Sequence, residues 1–104
     1  MRNLSRKQAA KNRLLSKIKQ ELMAYCGNKC VICKRYVVYP DLMHLLPRSL
    51  YPEYETERWN LALGCRECHN AYDNSAYERR KSGLYDRVAA HDKQAADKYF
   101  RMNE

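Results

Sequence analysis

The apolar positions at the start of the chain recur at helical spacing. Leu14, Ile18 and Leu22 fall every four residues, with Leu15 and Met23 flanking the stripe, which predicts an amphipathic helix over about residues 5–25. Ser5 followed by Gln8 fits a capping box at its start, and Gly27-Asn28 supplies its end. The pattern then shortens. "VVY" (37–39), "LMHLL" (42–46) and "NLALG" (60–64) are short apolar stretches punctuated by Pro40-Asp41 and Pro47, and they predict strands. Between Pro47 and Trp59 runs a polar, tyrosine-bearing segment of thirteen residues. That is long for a structureless loop, and loops of this length are often functional. Helical spacing returns from Cys68 through Ala71, Tyr72, Ala76 and Tyr77 until Ser82-Gly83. A last amphipathic helix is predicted beyond it, with Tyr85, Val88, Asp92, Ala95 and Tyr99 on a face that Ala89, Ala96 and Phe100 widen.

Composition sharpens this into one small domain. With 104 residues and 45% hydrophobic content, of which nine are tyrosines and one a phenylalanine, the apolar core is thin and rich in hydroxyls that need partners. A metal staple compensates for such a core. The organisation expected is a basic N-terminal helix over 1–26, a core over 27–82 and a C-terminal helix over 83–104.

Charge is distributed unevenly. Ten lysines and arginines stand against one acid, Glu21, through residue 36, and ten against eleven after it. Arg2, Arg6, Lys7, Lys11, Arg13, Lys17 and Lys19 have no acid among them, whereas a merely solvated helix face usually mixes signs. This points to a polyanion-facing arm. No apolar run approaches the length of a membrane span, and the start, basic and acid-free as a transit peptide also is, lacks the apolar region of a secretory signal. The expectation is a cytoplasmic protein with reduced thiols and no membrane partner.

In that setting the cysteines read as metal ligands. Cys30 and Cys33 form one C-x-x-C pair and Cys65 and Cys68 a second. Four thiolates close a tetrahedral zinc site that leaves the metal no open position, so the site is structural. Two disulfides or four buried thiols are the alternatives. Cys26 is read as a buried free thiol, and His91 as a surface helix position.

A plain zinc module has no need of His44, Asn60 or His69. The pattern C30-x2-C33, H44-L-L-P47, N60-L-x-L-x-C65-x2-C68-H69 resembles the HNH endonuclease family, over about residues 30–73. The resemblance implies an α+β fold: a ββα-metal core stapled by zinc, flanked by the N- and C-terminal helices. It implies that His44 is the general base, that Asn60 braces the hairpin and helps orient it, and that His69 ligates a catalytic divalent cation (Mg, Mn, Ni or Zn). Asp73, one helical turn beyond His69, falls where some members place another ligand. Directly before the base, where the family usually carries an Asp or His ligand, this chain has Met43; Asp41, of the same strand parity, is the candidate to replace it, with Glu53, Glu55 and Glu57 of the long loop behind it. Arg48, beside Pro47, is the candidate for holding the scissile phosphate.

The expected activity is metal-dependent hydrolysis of DNA, double-stranded in the first instance with RNA left open. The basic helix, with Lys29, Lys34 and Arg35, would contact phosphates. Two rivals stand beside it: a zinc-stapled module that binds DNA without cutting it, and a protein-interaction module anchored by the tyrosine-rich loop.

Overall fold

The computed structural model describes residues 5–103, so Arg2 lies outside the described residues. Helix α1, Arg6–Cys26, begins as its sequence suggests, with Ser5 Oγ accepting from the Gln8 N–H at 3.1 Å. Only half of the capping box forms, because the Gln8 side chain donates to Asn12 and Glu55 instead of returning to Ser5. Gly27 ends the helix at φ 70°, a left-handed conformation that glycine adopts without penalty, and its N–H bonds Met23 O at 3.0 Å.

Two strands follow, β1 (Asp41–His44) and β2 (Leu61–Gly64). They are antiparallel, in the register Asp41↔Gly64, Leu42↔Leu63, Met43↔Ala62 and His44↔Leu61. Residues 37–39 form no strand; the nearest pairing is the isolated bridge Lys29↔Tyr36. Val38 and Tyr39 stay exposed with no face to cover, and Pro40 beyond them has no N–H to continue a ladder. The thirteen-residue segment condenses into two 3-10 turns, Pro52–Tyr54 and Arg58–Asn60. Its rings pack inward: Tyr54 meets Trp59 edge-on at 4.9 Å, and Trp59 stacks on His91 at 4.5 Å. His91 is exposed yet ring-paired, and the tyrosine loop offers little of the anchor surface that the interaction rival needs.

Side chains alternate across the ribbon. Met43 and Ala62 face the larger core with Leu46, Tyr72, Val88 and Phe100, while Leu61 faces Leu15 and Ile18 of α1, with Leu22 and Leu42 alongside. The buried stripe of α1 is thus Leu15, Ile18 and Leu22, and Leu14 is 42% exposed. The i, i+3, i+7 and i, i+4, i+8 stripes are both helical, and the position of β2 selects the first.

Four short helices complete the chain: α2 (Arg66–Asn74), α3 (Ala76–Lys81), α4 (Tyr85–Ala89) and α5 (Lys93–Tyr99). Each of the two later helical runs expected from the sequence is broken once, at a polar N-cap. Ser75 accepts from the Glu78 N–H at 3.2 Å and starts α3; Asp92 accepts from the Ala95 N–H at 3.0 Å and starts α5. Asp92 is therefore a cap and not part of a continuous face, and its other oxygen takes the Tyr54 hydroxyl at 2.6 Å. Buried Arg79 closes the end of α2, donating to Tyr72 O and Asp73 O with its guanidinium 4.1 Å over the Tyr99 ring. The protein is a small α+β structure: α1, a two-stranded ribbon, and four helices beneath it. No helix among the described residues is long and apolar enough to cross a membrane.

Candidate functional site

Two tight turns bring four sulfur atoms together. In the first, the Cys30 N–H bonds Arg35 O, the Lys34 N–H bonds Cys30 O, and Lys34 reverses the chain at φ 67°. In the second, Cys65 caps α2, its sulfur accepting from the Cys68 N–H at 3.4 Å. The Val31 N–H to Leu63 O bond, 2.8 Å, ties the first turn to β2. All four Sγ atoms lie within 4.8 Å of one another, and among the described residues this is the group of His, Cys, Asp and Glu side chains able to hold a metal ion. Cys30, Cys33, Cys65 and Cys68 could hold a structural ion such as zinc.

The donor chemistry fits a cation. Burial pushes the Cys30 thiol up, but N–H groups of Cys33, Cys65 and Ile32 outweigh it and hold it below its usual range. The Arg35 guanidinium donates to Cys33 Sγ at 3.4 Å and draws that thiol down to about 6. Burial and the neighbouring sulfurs push Cys68 up. Crowded thiols that cannot all ionise alone do so around a divalent ion. Cys26, expected to be buried, is exposed at the end of α1.

Further along α2 an open cleft of about 710 Å³ is lined by His44, Arg48, His69 and Asp73, with Leu15 of α1 and Leu42 of β1 beside them. His44 ends β1, and its Nε2 lies 2.9 Å from the Glu55 carbonyl oxygen. A carbonyl only accepts, so Nε2 donates and the neutral ring keeps its lone pair at Nδ1. Burial holds His44 below the ordinary imidazole range against the pull of that carbonyl, and the charge of Arg48 lowers it further.

The Asn60 side chain makes no hydrogen bond to His44. Fully buried, it accepts from the Leu46 N–H at 2.7 Å and donates to Leu46 O at 3.0 Å and Tyr54 O at 3.1 Å. One amide thereby fixes the chain just after His44 and the turn that presents the Glu55 carbonyl.

Of the three loop glutamates, Glu55 turns inward while Glu53 and Glu57 stay exposed. Its carboxylate accepts from Gln8 and Arg48 at 3.3 Å each and pairs with Lys11 at 3.4 Å. Burial raises its carboxyl pKa, and these donors overcome that and hold it low. Nothing in the spacing of three alternating glutamates marks the middle one; the signal was present only in the fold.

His69 stands between two carboxylates. Asp41 Oδ2 is 2.9 Å from its Nδ1, and Asp73 Oδ2 is 3.1 Å from its Nε2. The two ring nitrogens point apart, so Asp41 and Asp73 do not converge with His69 on one point. Asp41 also binds Arg66 through both oxygens, at 2.8 and 3.2 Å, which holds its carboxyl below the usual range, with His69 adding to the effect. Met43 is fully buried, and its sulfur fills the space over Gly64 so closely that a Cβ there would collide with it. It belongs to the core, facing away from the cleft side of the ribbon. Lys34 Nζ is bonded to Val31 O at 2.8 Å, and Arg35 to Glu67 at 3.3 Å. No family model, curated protein or solved structure matches the chain.

Proposed function

We propose that the protein is an endonuclease of the HNH type, a zinc-stapled ββα-metal nuclease that hydrolyses phosphodiester bonds in DNA. The observation that carries this reading is the meeting of His44, Arg48, His69 and Asp73 in one open cleft beside the basic helix α1. In this reading His44 Nδ1 takes the proton from the attacking water, while the Glu55 carbonyl holds the opposite nitrogen protonated and fixes the ring plane. Asn60 keeps that carbonyl in place. Arg48, more than half exposed and held among the described residues by Glu55, turns to a phosphate oxygen when substrate enters. His69 and Asp73 would hold the divalent cation, and Asp41 would fix the other ring nitrogen of His69, as carboxylates commonly orient ligand histidines. An imidazole and a carboxylate accommodate Mn, Ni or Zn more readily than Mg. A bound cation supplies positive charge for the developing phosphorane and the departing oxygen.

A DNA-binding module that does not cut is the second reading, and Met43 favours it. The strand position that carries a metal ligand in the resemblance is committed here to the apolar core. The deciding experiment incubates zinc-loaded protein with supercoiled plasmid in Mg, Mn, Ni or added Zn, beside His44→Ala under the same conditions. Nicked or linear product from the wild type and none from the variant supports the nuclease. Binding without product in every metal leaves the module.

A further inference from the structure

The far end of α1 carries a surface that the cleft does not use. Tyr25, Tyr36 and Tyr39 are 91%, 67% and 88% exposed, and none of the three side chains has a hydrogen bond or ring contact among the described residues. Backbone contacts bring their segments together. The Val37 N–H bonds Asn28 O at 2.8 Å and Lys29 pairs with Tyr36, so the 36–39 segment lies against the residues that follow α1. Lys29, Lys34 and Arg35 are exposed in the same stretch of chain, and residues 22–40 contain no acid at all. Glu67, on Arg35, is the acid that reaches this surface in an ion pair.

We infer that this surface binds unpaired nucleotides, its cations holding backbone phosphates while Tyr25, Tyr36 and Tyr39 stack on bases. Bare rings interleaved with charge of one sign are the combination that single-stranded nucleic acid selects, because every base offers a face and every nucleotide a negative charge. Paired bases already stack on one another and leave the rings nothing to cover. A protein partner is disfavoured by the same charges, since the centres of protein interfaces are depleted of them.

The inference rests on the nucleic-acid part of the proposed function and is independent of whether the cleft cuts. It also narrows the substrate. Tyr25 lies about 21 Å along one continuous helix from Lys11, which pairs with the Glu55 that bonds His44, and within roughly 40° of it around the axis. That span is the rise of roughly six stacked nucleotides. The substrate class is DNA in which a duplex gives way to an unpaired strand.

The test measures binding, without added divalent cation, of zinc-loaded wild type to a fluorescein-labelled oligo(dT) 20-mer, a blunt 20-base-pair duplex and a 20-residue polyglutamate. The variants carry Tyr25, Tyr36 and Tyr39 all changed to Ala, or all to Phe. Substitutions this exposed leave the fold intact, which zinc content and circular dichroism verify. At about fivefold per ring, the alanine variant should lose roughly 100-fold on oligo(dT). Duplex binding should change little, and the phenylalanine variant should match wild type. Unchanged oligo(dT) affinity in the alanine variant, or an equal loss on duplex, overturns the inference. Equally ring-dependent binding of polyglutamate overturns it in favour of a protein partner. No cleavage is read, so an inactive cleft does not affect the result, and a protein that cuts duplex without ring-dependent oligo(dT) binding loses this inference alone.

Discussion

The sulfur cluster and the cleft share helix α2, yet they are assembled by different means. Cys65 caps it and Cys68 lies in its first turn, and His69 and Asp73 follow on the same helix. The cluster needs two local turns, each organised by its own backbone N–H groups, and one tie between Val31 and Leu63. The cleft draws on α1, β1, the loop after β1 and α2, and its charges are already matched internally: Arg48 and Lys11 on Glu55, Arg66 on Asp41, and His69 between Asp41 and Asp73. A set of four converging thiols is unbalanced without a cation and is stabilised by one. The cleft is balanced without substrate, so anything binding there must exchange existing ion pairs for new ones. The first arrangement suits a staple and the second suits a site that works by exchange.

Metal removal tests the staple most severely. Stripping the ion, or replacing Cys65 by Ser, should unfold the protein and take the cleft with it, a loss on the order of 10 kcal/mol by analogy with small zinc domains. A thermal melt unchanged after elemental analysis shows the metal gone would contradict the staple.

His44→Ala separates the two regions. Cleavage should fall by about 100-fold or more while melting temperature, zinc content and DNA affinity hold. Acid should act through the same group. Burial holds His44 below its ordinary value of 6.5, so the base stays neutral and the rate stays on its plateau through pH 7, falling at a midpoint below 6.5. A midpoint above 6.5 rules out His44 as the titrating base. The stability effect has the same sense: the unfolded histidine binds its proton first as pH drops, so acidification below about 6.5 favours unfolding until the folded form also protonates.

Asn60→Ala should behave as a structural lesion. It strands the Leu46 N–H and two carbonyls, at a cost of about 1–3 kcal/mol for a buried group left unpaired. Lower melting temperature accompanied by lost cleavage supports bracing; lost cleavage at an unchanged melting temperature would assign Asn60 to the chemistry. Met43→Asp belongs with it, since a carboxylate at that position enters the core and should destabilise the protein instead of adding a metal ligand.

The smallest effect concerns the helix. Neutralising Lys7, Arg13 and Lys17 should flatten the salt dependence of DNA binding, by up to about 0.9 log units for each phosphate that is no longer neutralised. Lys11→Gln should in addition alter cleavage, because Lys11 pairs with the residue whose carbonyl holds His44. Identical behaviour of all four positions would show that the Glu55 pairing has no functional weight.

Much of this was legible in the sequence. The cysteine pairs, the first helix with its caps, β1 and β2 each express a rule that operates within a few residues: a two-residue gap, an N-cap, a short apolar run bounded by turn residues. The failures have the opposite character. Residues 37–39 have strand composition but nothing to pair with. Leu14 and Leu15 fit the helical period equally, and the position of Leu61 decided between them. Asp92 fitted the face of a helix by spacing and is instead a cap bonded to Tyr54, thirty-eight positions away in the chain. Met43 was judged by its place next to His44, whereas its environment is Gly64 on the partner strand.

By itself the sequence determined the two cysteine turns, the basic helix and the residue types that can carry acid–base chemistry, because local spacing dictates which backbone groups and side chains share a turn. Tertiary structure alone decided that Glu55 is the inward glutamate and that its carbonyl selects the His44 tautomer. It also decided that Asp41 and Asp73 take opposite edges of His69, and that three tyrosines remain bare at one end of α1. Those outcomes depend on which groups lose water and which partners they meet across long stretches of chain, and burial and pairing of that kind are properties of the packed molecule.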